Sequence, residues 1–223
     1  MNVFEIFASI QGESTRAGEA TVFVRLAGCN LDCAWCDTPL ARTGAGTSMG
    51  MERIIKEALA PGLPQVCVTG GEPLLQKETP ELLNRLVASG RTTVLMTNGS
   101  LPFGRVPEGV VKVVDIKTPW VHDNPPETSD ALMRPPHFPE SNLGLLGPMD
   151  EVKFVVRSRA EFEWICEWSR SMGLFDRVAA VLVGPVWGEL DPGVLVDWMI
   201  EARLPLRLNL QWHKIIWGED TGL

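Results

Sequence analysis

The sequence predicts an α/β fold with a largely parallel sheet. Short, nearly continuous apolar runs alternate along the chain with segments whose apolar residues recur at helical spacing. Strands that are apolar on both faces are typical of parallel sheets covered on both sides. With 223 residues, 45% hydrophobic and 22% charged, the chain can bury the core of a single domain, predicted over residues 1–223.

Seven runs rich in β-branched residues are predicted as short buried strands. They are TVFVRLAGC (21–29), QVCVTG (65–70), TTVLMTNG (92–99), VVKVVDIK (110–117), EVKFVV (151–156), VAAVLVG (178–184) and LRLNLQ (206–211). Helical segments lie between most of them, so the pattern is a repeated βα unit.

Four segments between these strands have the apolar spacing of helices: 51–59, 79–90, 159–173 and 191–204. Thr79 and Asp191, each followed by a proline, predict N-caps with proline at the first helical position. Gly90 and Gly173 predict the points where two of the helices stop.

Two segments, 39–50 and the proline-rich 119–148, have apolar residues at neither strand nor helix spacing. We expect loops or lids there, because long irregular stretches in a compact domain are usually functional or mobile. No internal sequence repeat is present.

The charge balance disfavours several classes of partner. Lys and Arg number 20 against 28 Asp and Glu, a net of -8, so nothing indicates nucleic acid or an anionic membrane as a partner. No apolar run approaches the ~20 residues that cross a bilayer, and the N-terminus lacks the basic and apolar regions of a signal peptide. The sequence therefore predicts a cytoplasmic protein whose cysteines stay reduced.

Polar residues follow the predicted strands at the point where each strand ends. They are the cysteines after the first strand, 69–73 after the second, 97–99 after the third, Asp115 and Lys117 at the fourth, and 211–214 after the last. Ligands of parallel α/β sheets bind beyond the carboxyl ends of the strands. We therefore expect these residues to gather at one rim around a large ligand of several parts.

The stretch CNLDCAWCDT places Cys29, Cys33 and Cys36 within eight residues. Cys67 and Cys166 lie in strand and helix patterns and are predicted in the core. A structural zinc site normally takes four protein ligands, and three unliganded thiols in a loop have no packing role. A 4Fe-4S cubane held by three cysteines leaves one iron open to another molecule, so we favour a cluster.

The spacing Cys-x3-Cys-x2-Cys, with Trp35 before the third cysteine, resembles the signature of the radical S-adenosylmethionine (SAM) enzymes. The resemblance implies that the loop 29–36 holds the 4Fe-4S cluster, that SAM chelates its open iron, and that one electron cleaves SAM to a 5′-deoxyadenosyl radical. It also implies a partial (β/α) barrel with long loops. The SAM contacts expected from it are Trp35, Gly70, Gly71, Glu72, Asp115 and Lys117, with Glu72 at the methionine amino end.

Further motifs resemble the 7-carboxy-7-deazaguanine synthase family of queuosine and deazapurine biosynthesis. They are FASIQGEST (7–15), TVFVRLAGCNLDCAWCDT (21–38), DIKTP (115–119) and QWHK (211–214). This resemblance spans nearly the whole chain and implies conversion of 6-carboxy-5,6,7,8-tetrahydropterin to 7-carboxy-7-deazaguanine with loss of ammonia. It also implies a homodimer and an electron donor such as flavodoxin or ferredoxin.

Site residues follow from the same resemblance. It implies that Gln11, Glu13, Arg25, Thr69 and His213 contact the pterin substrate and that Thr38 ligates Mg²⁺. The residue types suit this chemistry, because Arg25 can pair with a carboxylate in bidentate fashion and Glu13 can accept two hydrogen bonds from an amino-pyrimidine edge. Mg²⁺ prefers hard oxygen ligands and keeps several waters, so one threonine hydroxyl is a reasonable partial shell.

The chain departs from the family at Gly184, where a glutamine near SAM is common.

Three alternatives belong to other functional classes. An enzyme that activates a glycyl-radical protein would share the cysteine spacing and SAM, but would need a protein-binding face. A non-enzymatic iron–sulfur electron carrier would normally have a fourth cysteine ligand. A zinc-stabilised binding module would need a closed set of four ligands.

Overall fold

The computed structural model of the protein describes residues 1–122 and 134–218. Its strands are β1 (Asn2–Ile10), β2 (Ala20–Leu26), β3 (Thr47–Ser48), β4 (Gln65–Gly70), β5 (Thr92–Thr97), β6 (Val110–Asp115), β7 (Glu151–Val156), β8 (Ala180–Pro185) and β9 (Leu206–Leu208). Its helices are α1 (Pro39–Arg42), α2 (Met51–Leu59), α3 (Thr79–Ala88), α4 (Glu140–Leu143), α5 (Arg159–Ser171), α6 (Pro192–Ala202) and α7 (Trp212–Trp217).

These strands form one open sheet in the order β3-β1-β2-β4-β5-β6-β7-β8-β9. From β2 to β9 every neighbouring pair is parallel, whereas β1 pairs antiparallel with β2 and β3. The predicted α/β fold with a largely parallel, incompletely closed sheet is confirmed. Because the carboxyl ends of the parallel strands meet at one edge, their end residues share a single rim.

Helices pack against one face of the sheet. Val22, Val24 and Leu26 of β2 lie in a core cluster with α2 and α3, and residues of β7 and β8 lie in a second cluster with α5 and α6. The opposite face, here called the inner face, carries a smaller apolar cluster. This inner apolar cluster consists of Phe23, Cys67, Val94, Val111 and Val113. Each fully buried Val or Leu contributes about 1.5–3 kcal/mol, so both clusters on the helix-covered face stabilise the sheet. The inner apolar cluster is buried as well.

The predicted elements differ from the structure mainly near the N-terminus. All seven predicted strands are present, with ends that differ by a few residues, but β1 is missing from the prediction. It is only half-buried and carries Glu5, so it lacks the continuous apolar run of the parallel strands. The segment 39–50, expected as a loop, contains α1 and β3. Helix α4 lies in the predicted loop 119–148, of which residues 123–133 lie outside the described residues.

One of the two predicted N-caps is wrong. Asp191 caps α6, because its carboxylate accepts hydrogen bonds from the backbone N–H groups of Gly193 and Val194. Thr79 is instead the first residue of α3, and its hydroxyl donates to the carbonyl of Pro73 at 2.5 Å. This bond ties the start of α3 to the loop after β4. None of the described helices is long and apolar enough to cross a membrane.

Candidate active site

A cavity of about 500 Å³ opens at the carboxyl edge of the sheet. Residues expected to bind ligands line it from segments far apart in sequence: Gln11, Glu13, Arg25, Cys29, Cys33, Trp35, Cys36, Thr38, Thr69, Gly70, Gly71, Asp115, Lys117 and His213. The structure therefore brings together all the predicted site residues except Glu72.

Strand periodicity explains which side chains enter this cavity. Successive strand residues point to opposite faces, so residues two apart share a face. On β2 the sequence Phe23, Arg25 places an arginine directly beyond the inner apolar cluster, and on β4 the sequence Cys67, Thr69 does the same with a hydroxyl. The inner face is thus apolar in the middle of the sheet and polar at its carboxyl edge.

The cluster loop 29–36 presents three free thiols, all partly exposed and all lining the cavity. In the described part of the chain, no three His, Cys, Asp or Glu side chains converge on one single-ion position. A cubane distributes its thiolates over different iron atoms, so the loop fits a 4Fe-4S cluster better than a zinc ion. Burial raises the pKa of the Cys33 thiol to about 11 and also raises the pKa of Cys36. Cluster binding must therefore displace protons from these thiols.

Contacts from the start of the proline-rich segment 119–148 hold the cluster loop. The guanidinium of Arg157 lies 5.0 Å from the ring centroid of Trp35 and donates to the carbonyl of Trp120 at 3.1 Å. The backbone N–H of Ala34 donates to the carbonyl of Val121 at 3.1 Å. Arg157 follows β7 at the carboxyl edge, and the sequence reasoning did not identify it.

The paired glycines after β4 lie against the end of β2. A Cβ added to Gly70 would lie 2.0 Å from the carbonyl oxygen of Leu26, and one added to Gly71 would lie 2.1 Å from that of Gly28. Gly70 also has φ +138, a conformation that side chains rarely adopt. Only glycine lets this backbone pass so close to β2, and it leaves an exposed peptide edge at the cavity, suited to the methionine end of SAM.

Glu72 lies beneath the cavity wall and is fully buried. Its carboxylate accepts hydrogen bonds from the backbone N–H of Leu74 at 2.9 Å and of Asn98 at 2.8 Å, and from the hydroxyl of Thr97 at 2.9 Å. Burial raises its pKa despite these bonds. In this geometry Glu72 braces the loops after β4 and β5, and its expected contact with SAM stays a prediction.

The loop after β1 forms the opposite wall together with α7. A Cβ added to Gly12 would lie 2.2 Å from Nδ1 of His213, and the backbone N–H of Trp212 donates to the carbonyl of Gly12 at 3.0 Å. Burial lowers the pKa of His213, so its ring is neutral at pH 7. Gln11 is buried in the same wall, and its side-chain oxygen accepts a hydrogen bond from the backbone N–H of Glu13 at 3.4 Å.

Arg25 is held in place by β1. Its Nε lies 2.7 Å from Oε1 of Glu5, its register partner across the β1–β2 pair, and its guanidinium lies 5.4 Å from the ring centroid of Phe7. A guanidinium has five donors on more than one edge, so pairing with Glu5 is compatible with binding a ligand carboxylate.

A chain of alternating charges crosses the floor of the cavity. Lys153 Nζ lies 2.9 Å from Oε2 of Glu13 and 2.9 Å from Oδ2 of Asp115, and Lys117 Nζ lies 2.9 Å from the other oxygen of Asp115. Burial alone would raise the pKa of Asp115, but the two lysines lower it to about 2. The sequence reasoning missed Lys153, although its position, two residues from Val155 on a cavity-facing strand, could have revealed it.

Gly184 lies where β8 meets the segment after β9. A Cβ added there would lie 2.4 Å from the carbonyl oxygen of Asn209, and the side chain of Asn209 accepts a hydrogen bond from the N–H of Ser14 at 2.8 Å. A glutamine at 184 would therefore require the segment after β9 to shift, which explains the glycine in this chain.

Known proteins of one family resemble this chain along almost its whole length. The family model of the radical SAM superfamily matches residues 24–187. A 7-carboxy-7-deazaguanine synthase from Koribacter versatilis is 40% identical over 99% of this chain and 99% of its own, and one from Chlorobaculum tepidum is 40% identical over 99% and 96%. The crystal structure of QueE from Escherichia coli superimposes with a TM-score of 0.70 at 20% identity, covering 94% of this chain and 93% of that chain, so it supports the fold. The chain therefore belongs to the 7-carboxy-7-deazaguanine synthase family within the radical SAM superfamily.

Proposed function

We propose that the chain is a carbon–nitrogen lyase that converts 6-carboxy-5,6,7,8-tetrahydropterin to 7-carboxy-7-deazaguanine and ammonia. The observation that carries this proposal is the meeting, in one cavity, of the cysteine loop with Glu13, Arg25 and His213 from three separate segments. The product and ammonia contain all the atoms of the substrate, so the reaction needs no net oxidant.

The cofactor side of the cavity is made by the carboxyl ends of β2, β4 and β6. Cys29, Cys33 and Cys36 would hold the cluster, and the peptide edge of Gly70 and Gly71 would take the methionine part of SAM. When bound, the cluster and SAM would supply the one-electron radical chemistry needed to remove a hydrogen atom from the substrate.

The substrate side of the cavity would bind both ends of a flat ring system. Glu13 can accept two hydrogen bonds from the amino-pyrimidine edge, while Arg25 pairs with the carboxylate at the other end. His213 and Gly12 lie against each other in the cavity wall, where they would limit access of water. Excluding water matters here because it strengthens each charged contact.

The alternative functions account for less of this site. An iron–sulfur electron carrier would have no use for the buried polar wall around Glu13 and Arg25. An enzyme acting on a glycyl-radical protein would need an open face for a polypeptide, whereas here α7 and the loop after β1 narrow the cavity.

A direct test uses anaerobically reconstituted protein with SAM, a strong reductant and the carboxylated tetrahydropterin. We expect 7-carboxy-7-deazaguanine and ammonia in equal amounts, detected by chromatography and an ammonia assay. A matched reaction with tetrahydropterin lacking the carboxylate should give neither. SAM cleavage without product from the carboxylated pterin would reject the substrate and leave the radical SAM assignment.

Mg²⁺ would bind beside the substrate at Thr38. Thr38 lines the cavity just before α1 and makes no side-chain capping bond to that helix. The neighbouring Asp37 is already engaged, since it accepts hydrogen bonds from Gln211 at 2.5 Å and Lys214 at 2.6 Å. With Asp37 engaged in this way, the hydroxyl of Thr38 would be the protein ligand of a metal whose other ligands are water and substrate.

Replacing Thr38 by alanine should lower turnover and flatten its response to Mg²⁺, because one protein oxygen leaves the metal shell. Iron content and SAM binding should stay unchanged. Thr43→Ala is the matched control, since Thr43 ends the same helix and its hydroxyl donates to the carbonyl of Leu40. A Mg²⁺ titration of Thr38→Ala that matches the wild type would make Thr38 a turn residue only.

The cellular setting extends the proposal. A cluster that must be reduced, and thiols that must stay reduced, favour the cytoplasm, with flavodoxin or ferredoxin as the electron donor and queuosine as the pathway. A homodimer remains a prediction from the family resemblance.

A further inference from the structure

Strand β7 places an ammonium group between two carboxylates on different elements. Lys153 Nζ contacts Glu13 in the loop after β1 and Asp115 at the end of β6, each at 2.9 Å, and its side chain is only 6% exposed. Asp115 and Lys153 are register partners in the β6–β7 pair, so their side chains leave the sheet on the same face.

The two carboxylates serve different ligands under the proposed function. Glu13 would accept hydrogen bonds from the pterin, and Asp115, which also pairs with Lys117, would contact SAM. A buried carboxylate stays ionised and fixed in direction only if a cation or donors compensate for its lost hydration. One ammonium, with three donors, can do this for both.

We propose that Lys153 is a positioning residue that holds Glu13 toward the pterin and Asp115 toward SAM, so that both ligands depend on one side chain. The inference rests on the proposed function and deepens it by linking the two halves of the site. It predicts that losing Lys153 weakens both ligands, whereas losing either carboxylate weakens chiefly one.

The charges around Lys153 are consistent with this role. Burial by itself would lower the pKa of Lys153, but Asp115 and Glu13 raise it above its ordinary value, so the ammonium is charged throughout the physiological range. Other titratable or charged groups face these three side chains from neighbouring elements. They are Lys117 just after β6, Cys33 in the cluster loop, Asp37 just after that loop, Arg25 on β2 and His213 on α7.

The chain offers a matched control in Lys112. Its Nζ lies 2.8 Å from Oδ2 of Asp150, and these side chains are 14% and 4% exposed. Like Lys153, it lies on a sheet strand and pairs with an aspartate, but it does not line the cavity. Lys112→Met therefore removes a similar buried ion pair away from the site.

The experiment measures anaerobic binding of SAM and of the carboxylated tetrahydropterin, each alone, to cluster-containing protein. Lys153→Met should weaken each ligand about tenfold or more, the scale of one charge-assisted contact. Lys153→Arg should recover part of both affinities, and Lys112→Met should change neither by more than about twofold. Glu13→Gln should weaken chiefly the binding of the pterin, and Asp115→Asn should weaken chiefly the binding of SAM.

The conservative variant separates positioning from general loss of structure. Lys153→Met leaves the carboxylates of Glu13 and Asp115 without their shared cation, whereas Lys153→Arg keeps a positive charge between them. If position 153 only filled space, the two variants would bind both ligands equally well; a positioning role predicts tighter binding by Lys153→Arg. If Lys153→Met does not fold, Lys153→Met/Glu13→Gln removes one charge of each sign, and it should bind SAM more weakly than Glu13→Gln alone.

The outcomes distinguish this inference from the proposed function. Affinities for both ligands within about twofold of wild type in Lys153→Met, or loss of only one ligand, would overturn the joint positioning role. Wild-type protein that binds SAM but not the carboxylated pterin would overturn the proposed function and, with it, the pterin half of the inference.

Discussion

Replacing Cys29, Cys33 or Cys36 by alanine should abolish the iron–sulfur cluster and, with it, all cleavage of SAM. Three thiolates are the minimum that fixes a cubane while one iron stays open. The described cavity wall offers no other thiol, because Cys67 and Cys166 are buried in the sheet and in α5. Iron and sulfide per chain after anaerobic reconstitution measure the effect directly, before any activity assay.

Cys67→Ala and Cys166→Ala are the matched controls. Cys67 is 0% exposed in the inner apolar cluster, and Cys166 is 6% exposed among the residues that α5 packs on the sheet. Removing either sulfur leaves a small cavity and costs about 1–2 kcal/mol of unfolding free energy, but iron content should stay at the wild-type level. Equal loss of iron in all five variants would show that the ligand assignment is wrong.

The same measurement distinguishes the metal classes. A zinc module would lose zinc and thermal stability together in the three loop variants, because structural zinc sites contribute folding energy. A cubane bound at the cavity edge should leave the sheet folded when it is lost, since the sheet is stabilised by apolar clusters that do not include the loop cysteines. Iron loss with an intact unfolding transition is therefore the expected result.

The fold could be predicted from sequence because most of its parallel strands are largely buried. Apolar runs mark β2 and β4 to β8, and burial on both faces is what produces such runs. Strand β1 escapes this pattern because it lies near the edge of the sheet and is half-buried. Its pairing partner, and therefore the contact between Glu5 and Arg25, depends on a long-range register that local periodicity does not contain.

The candidate site was predictable where a motif carries its own spacing, as in the cysteine loop and the paired glycines. Lys153 does not stand out in the sequence, because EVKFVV has the pattern of an apolar strand. Alternation places Lys153 on the same face as Val155, and a lysine at a buried position requires a nearby carboxylate. Which carboxylates these are could not be predicted, because Glu13 lies 140 positions away in sequence. Glu72 shows the reverse case, in which a motif residue is present but its carboxylate faces the protein.

Arg25→Ala should weaken the carboxylated tetrahydropterin much more than an analogue lacking the carboxylate. The guanidinium is fixed by Glu5 and Phe7 at the cavity wall, so it is preorganised for an anion at that end of the ligand. A charge-assisted pair contributes about 1.5–3 kcal/mol, or roughly ten- to a hundredfold in affinity. The analogue has no carboxylate to lose and should be affected only slightly.

Glu13→Ala should instead weaken both ligands to a similar extent, because the amino-pyrimidine edge is common to them. Binding of each ligand to each variant is measured anaerobically with SAM present, and Arg16→Ala serves as the control. Arg16 lies near the same loop, but it is partly exposed and pairs with Glu19 at 3.2 Å. The diagnostic quantity is the ratio of the two affinities, which cancels any general weakening of the site.

If Arg25→Ala leaves that ratio at its wild-type value, Arg25 does not bind the carboxylate. The substrate proposal then loses its principal contact, while the radical SAM assignment stands on its cysteines.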